Sequence, residues 1–188
     1  MRFDEYLQRN AIAAAPADRF NGFEVNVQGP HGWEAVEDRP GLRIWVWRED
    51  PYREKFCANA VLTMHQVAAA LDPADTFEML SEEQVLSAPK CQELQQRWES
   101  AEDGIGIQGT LSSQVDTEFG TIDSLTRTRI IVADQQTLIA QLTLTALHGS
   151  PVDWDEIQMS LQPVPAQANT ATVADPDEHA TAIPTIGS

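Results

Sequence analysis

The sequence predicts an α+β fold, an antiparallel β-sheet flanked by helices, and three segments carry that expectation. From Ile105 to Leu147 the chain reads as sheet almost without interruption. Its last stretch, Thr137 to Leu147, sets Leu138, Ala140, Leu142, Leu144 and Ala146 on one side and Ile139, Gln141, Thr143, Thr145 and Leu147 on the other. That period of two marks a strand with one buried and one partly wet face. Residues 71–87 change to a helical period, and residues 151–161 place Val152, Trp154, Ile157 and Leu161 at roughly helical spacing. Both are expected to dock on the sheet.

The remaining elements follow in order. Phe3, Tyr6 and Leu7 share one face of a two-turn helix over residues 3–10, which holds only when docked because so short a helix is marginal by itself. The AAAPAD stretch after it reads as a connector. Phe23, Val25 and Val27 alternate in a first strand over 22–28, GPHG at 29–32 is turn chemistry, and Trp33 follows directly. Residues 42–48 alternate Leu42, Ile44 and Val46 against Arg43, Trp45 and Trp47. After the loop EDPYREK, residues 56–67 form another alternating strand. The helix at 71–87 opens with Asp72 as a cap, Pro73 at the first helical position and acidic residues in the early turns, where the helix dipole favours them. Residues 91–100 read as a further strand in the surrounding sheet. From Val164 onward composition falls to Ala, Thr, Pro and acidic residues without Lys or Arg, the pattern of a disordered tail. The expected organisation is an N-terminal helical arm (1–19), one domain (20–163) and an acidic tail (164–188).

Charge narrows the function classes. The 188 residues carry 12 Lys and Arg against 29 Asp and Glu, a formal net charge of −17. Such a surface repels phosphate backbones and anionic lipid headgroups, which disfavours sequence-independent binding to nucleic acid or membrane surfaces. The first residues place Asp4 and Glu5 where a signal peptide needs positive charge, and Ala11 to Ala15 is too short for a signal core or a membrane span. Neither a disulfide framework nor a lipid attachment site follows from Cys57 and Cys91. A reduced, cytoplasmic protein without a membrane anchor is expected.

Catalytic and cofactor chemistry finds little support. GIGIQG at 104–109 matches GxGxxG, but polar residues precede it and no helical pattern follows, whereas a pyrophosphate cradle needs a strand before and a helix after. Cys57 and His65 are eight positions apart on one strand, far beyond hydrogen-bond reach. His31, His65, His148 and His179 lack metal-ligand spacing. Among the carboxylates Asp72, Asp75, Asp116, Glu118, Asp123, Asp153 and Asp155, no spacing singles out an acid–base couple. No cofactor and no metal are expected.

The aromatic strand is the candidate site. Trp and Arg are favoured binding anchors. If a docked helix covers the face bearing Arg43, Trp45 and Trp47, the tryptophans are core. If that face is half covered, these three residues and the Gln141, Thr143, Thr145 row line a groove.

FDEYL near the start, the pair Gly32 and Trp33, FCANAVLTMHQV, LDPAD and the closing SLTRTRIIVADQQTLIAQLTLTALH occur in this order. Together, from about Phe3 to Leu161, they resemble the actinobacterial LpqN/LpqT family, whose fold is similar to that of the Mog and PsbP proteins. The resemblance implies an antiparallel sheet sandwiched by helices, an α/β/α arrangement. It also implies a protein without enzymatic activity, in a family of mostly secreted envelope lipoproteins, with no catalytic residues to carry over. The expected function is a non-catalytic, adaptor or chaperone-like module that recognises a partner protein through a sheet face. A carrier of a small lipid-like ligand in the sheet–helix cleft is the alternative, and a cysteine enzyme would need an accessible thiol beside His65 or His148.

Overall fold

A computed structural model describes residues 1–29 and 31–164. Among the described residues two helices, α1 (Phe3–Arg9) and α2 (Pro73–Ser87), accompany eleven strands. These are β1 (Ala14–Pro16), β2 (Arg19–Phe20), β3 (Phe23–Gln28), β4 (Trp33–Arg39), β5 (Leu42–Trp47), β6 (Asn59–Val67), β7 (Cys91–Ser100), β8 (Ile107–Thr117), β9 (Gly120–Ala133), β10 (Gln136–Leu147) and β11 (Gln158–Pro163). α2 starts as its sequence dictates: the Asp72 carboxylate accepts the Asp75 N–H at 2.9 Å, and Pro73 occupies the first turn. The fold is α+β, with a sheet that is antiparallel throughout.

The main sheet runs β4-β5-β6-β10-β9-β8-β7, with β1 pairing β6 beyond the end of β5. Residues directly opposite in an antiparallel ladder share a face, so register assigns every side chain. Leu138, Ala140, Leu142 and Leu144 lie in one layer with Leu62, Met64 and Ala60, all essentially inaccessible. A second sheet, β11-β3-β2, covers them with Phe20, Val25 and Ile157. On the opposite face Phe3 and Leu7 of α1 pack on Val67, Leu71 and Ile139. α2 packs there on β7, β8 and β9.

The two covers are offset diagonally. The small sheet sits over β5, β6 and β10, whereas α2 sits on the other face towards β7. Each face of the main sheet is therefore half covered, at opposite ends.

Two expectations change, and one unassigned segment proves to be a strand. The helix expected at 151–161 is a loop followed by β11, which pairs β3 from Gln158↔Gln28 to Pro163↔Phe23. Residues four apart fall on one side of a strand as well as of a helix; Ile157 and Leu161 both face the main core, with Met159 between them. The second outer layer is thus a sheet, and helices occupy one face. The connector after α1 contains β1, whose Ala14, Ala15 and Pro16 pair Val67, Gln66 and His65. The segment from Trp33 is the polar edge strand β4, with a register shift between Ala35 and Glu37. The expected tail lies outside the described residues apart from Val164, whose N–H donates to Gly22 O at 2.8 Å.

Candidate functional site

The structure divides the six expected site residues between two faces. Arg43 stands opposite Leu62 and Trp45 opposite Ala60, on the side covered by the small sheet. Gln141, Thr143 and Thr145 stand opposite Thr63, Val61 and Asn59, on the helix side. The expectation that all six line one groove is therefore corrected, and the cause is parity: register places Leu42, Ile44 and Val46, not the tryptophans, beside the Gln/Thr row. Trp45 packs against the main core and Trp47 against Ala58, Ala146 and Val152. Arg43 Nη1 donates to Val25 O at 3.1 Å, tying β5 to the sheet above it.

The helix side holds the open cleft. Between α1, α2 and the β6–β10 ladder lies a cavity of about 430 Å³, with Phe3, Leu7, Leu80 and Ile139 as apolar wall and His65, Gln141 and Thr143 on its sheet floor. A polar seam orders that floor. Gln84 Nε2 donates to Thr126 Oγ1 at 2.7 Å, Thr126 and Thr143 share a hydroxyl hydrogen bond at 3.0 Å, and Thr145 Oγ1 donates to Asn59 Oδ1 at 2.9 Å. Towards the β4 edge the same face continues as Leu42, Ile44, Val46 and Val61. These are half-buried, and among the described residues they belong to none of the buried apolar clusters.

The glycines of GIGIQG serve the fold. Gly106 has φ +72° at the turn into β8, where a Cβ would meet the Ile130 carbonyl oxygen at 2.1 Å. A strand, not a helix, follows. Burial pushes the Cys57 thiol up, with the Asp50 charge adding to the effect, and its Sγ donates to Trp47 O at 3.3 Å; a thiol held in this state is a poor nucleophile. Asp50 itself is only 1% exposed and accepts the Tyr52 and Ala58 N–H groups, a structural clamp on the loop after β5. Asp123 and His148, unremarkable in the sequence, meet at 2.9 Å, and Gln114 donates to the other Asp123 oxygen. Asp123 lies on β9 and His148 in the turn just after β10, 25 residues apart, so only the register of β9 against β10 could have paired them in advance. Among the described residues no group of three or more His, Cys, Asp or Glu is placed to hold a metal ion, and no helix is long and apolar enough to cross a membrane. His179 lies outside the described residues.

Fold and cleft together define a sheet module with one helical and one β cover. The family model described as "Probable lipoprotein LpqN" matches residues 1–160, and the chain belongs to that family. The crystal structure of LpqN, involved in cell envelope biogenesis of Mycobacterium tuberculosis, is similar in fold: TM-score 0.67, 16% identity, 87% of this chain and 98% of that chain covered. The Saccharomyces cerevisiae Ran-binding protein Mog1p matches at TM-score 0.39 and 10% identity, covering 65% of this chain and 72% of that one. At that distance the likeness has no bearing on function. No curated protein matches the chain.

Proposed function

We propose that this chain is a non-catalytic binding module that recognises a partner protein through the open helix-side half of its main sheet. The observation that carries this reading is the half-buried row Leu42, Ile44, Val46 and Val61, which among the described residues joins no buried cluster and is bordered by Gln141, Thr143 and Thr145. Apolar residues flanked by satisfied polar groups suit an interface with an apolar centre and a hydrogen-bonding rim. The net charge of −17 favours a partner segment that carries basic residues around its apolar anchor. Arg43, Trp45 and Trp47 act in this reading from beneath, by fixing β5 to the small sheet.

The cleft supports a second reading, a carrier of a small lipid-like ligand. Its volume of about 430 Å³ falls within the range of ordinary ligand pockets, and Phe3, Leu7, Leu80 and Ile139 give it one apolar wall. The cytoplasmic location belongs to the first reading, consistent with Cys57 and Cys91 both being free; cell fractionation tests it.

The deciding experiment is affinity capture from the native host with wild type and Val46→Glu side by side, followed by mass spectrometry for proteins and lipids. A protein held by wild type and lost by Val46→Glu supports the sheet-face reading. A lipid retained equally by both variants, with no differential protein, supports the carrier.

A further inference from the structure

The other open half of the main sheet, on the small-sheet side of β7, β8 and β9, concentrates charge of the opposite sign. Register places Arg97 directly opposite Thr110, and Thr110 directly opposite Arg127, so two arginines flank one threonine on the same face. Arg129 lies two residues further along that face of β9. With neighbouring strands about 4.8 Å apart, the Arg97 and Arg127 backbones are separated by roughly 10 Å, and both guanidinium groups reach the space between them. A cavity of about 200 Å³ opens there, lined by Arg97, Thr110, Arg127, Arg129, Gln108 and Glu99, with Met159 of the small sheet at its side. Three of the chain's 12 basic residues thus converge where acidic residues outnumber basic ones overall, 29 to 12.

The local carboxylates leave two of these cations poorly compensated. Arg129 is engaged through Nε and Nη2, with Asp103 and the Ile105 carbonyl. Glu99 is turned to Gln108, whose Nε2 donates to it at 3.1 Å. Arg127 is different: its side chain is 19% exposed, one nitrogen is spent on Ile157 O, and its carboxylate, Asp155, is 96% exposed at 3.4 Å. An ion pair with so solvated a partner offsets little of the cost of burying a guanidinium. Arg97 has its Nε on Thr110 Oγ1 at 3.1 Å and makes no ion pair among the described residues. Arg97 and Arg127 thus stand on either side of one hydroxyl and both line the cavity, so an anion placed between them would meet two cations.

We infer that this pocket binds a phosphate group, free or carried on a small organic molecule or lipid headgroup. Arg97 and Arg127 supply forked N–H donors from opposite sides, and Thr110 supplies a hydroxyl beneath. The two positive charges match a phosphate dianion, whereas a carboxylate would leave one of them unmet. This site is separate from the sheet face of the proposed function, so either can fail without the other.

Calorimetric titration of inorganic phosphate into the full chain at low ionic strength tests the inference, with acetate as the planar control. Saturable phosphate binding is expected, and it should weaken at least about tenfold in Arg97→Gln, the loss of one charge-assisted pair. Arg97 is exposed and, among the described residues, its side chain bonds only Thr110, so an unchanged melting temperature will show that Arg97→Gln is folded; Thr110→Val is the second variant. Vesicles of phosphatidylcholine with and without phosphatidic acid distinguish the source. Binding of phosphatidic acid vesicles in excess of inorganic phosphate assigns a headgroup, and the converse assigns a free phosphate or phosphomonoester. No binding of either, equal competition by acetate, or phosphate binding untouched by both variants overturns the inference.

Discussion

The Phe77 ring of α2 lies directly over Gly109 of β8: a Cβ built at Gly109 would come within 2.3 Å of the ring. Phe77 is 1% exposed, so the helix is seated on the sheet through this one missing side chain. Gly109→Ala is expected to lift α2 and cost about 1–3 kcal/mol, the usual price of overpacking. Urea denaturation followed by circular dichroism checks it; an unchanged midpoint would mean that the helix can slide.

Trp45 and Val46 are neighbours on β5 that face opposite ways, and their substitutions should separate stability from binding. Trp45→Ala removes a ring packed against the main core and is expected to cost about 2–3 kcal/mol. Val46→Glu places a charge on the open side and should change stability by less than about 1 kcal/mol. Thermal unfolding of the two variants in parallel decides which face is core.

Acid should loosen the turn between β7 and β8. Burial works against ionised Asp103, but the Ile105 N–H and the Arg129 guanidinium together hold its carboxyl below the ordinary value. A carboxyl depressed in the folded state stabilises the fold above its unfolded pKa, and that contribution disappears as pH falls through the folded value. Stability should therefore decline on acidification below the normal carboxylate range. Asp103→Asn should flatten that limb in a series of urea midpoints against pH.

Cys57 gives the opposite sign. Its thiol is pushed up by burial and then by Asp50, so alkylation should be slow at neutral pH and accelerate only in alkali. The unfolded thiol ionises first, so stability present below the unfolded pKa is lost as pH rises through the folded one. Iodoacetamide kinetics in a Cys91→Ser background measure this; rapid labelling at neutral pH would reopen a cysteine-dependent activity.

Much of the architecture could be read from the chain, because period-two alternation in strands such as Thr137–Leu147 depends on local burial alone. The cap at Asp72 and the turn into α2 are equally local. What escaped depends on partners distant in sequence. Ile157 and Leu161 satisfy helix and strand alike, and only β3 decides between them. Ala14–Pro16 has no alternation, and becomes a strand because β6 runs past the end of β5. The six candidate residues all lie on β5 and β10, yet the face each strand shares with its neighbour is a property of register. Arg97 and Arg127 lie 30 residues apart, with nothing local to show that Thr110 would sit between them.

The diagonal offset of the two covers makes the molecule two-sided. An occupant of the Leu42–Val61 half and an occupant of the Arg97–Arg127 half would approach from opposite directions and could not collide. Any influence of one on the affinity of the other must pass across the ladder that joins the two halves, where β10 of the first pairs with β9 of the second. By linkage such an influence is mutual and equal in free energy. A titration of one occupant in the presence of the other would therefore read the stiffness of the sheet itself.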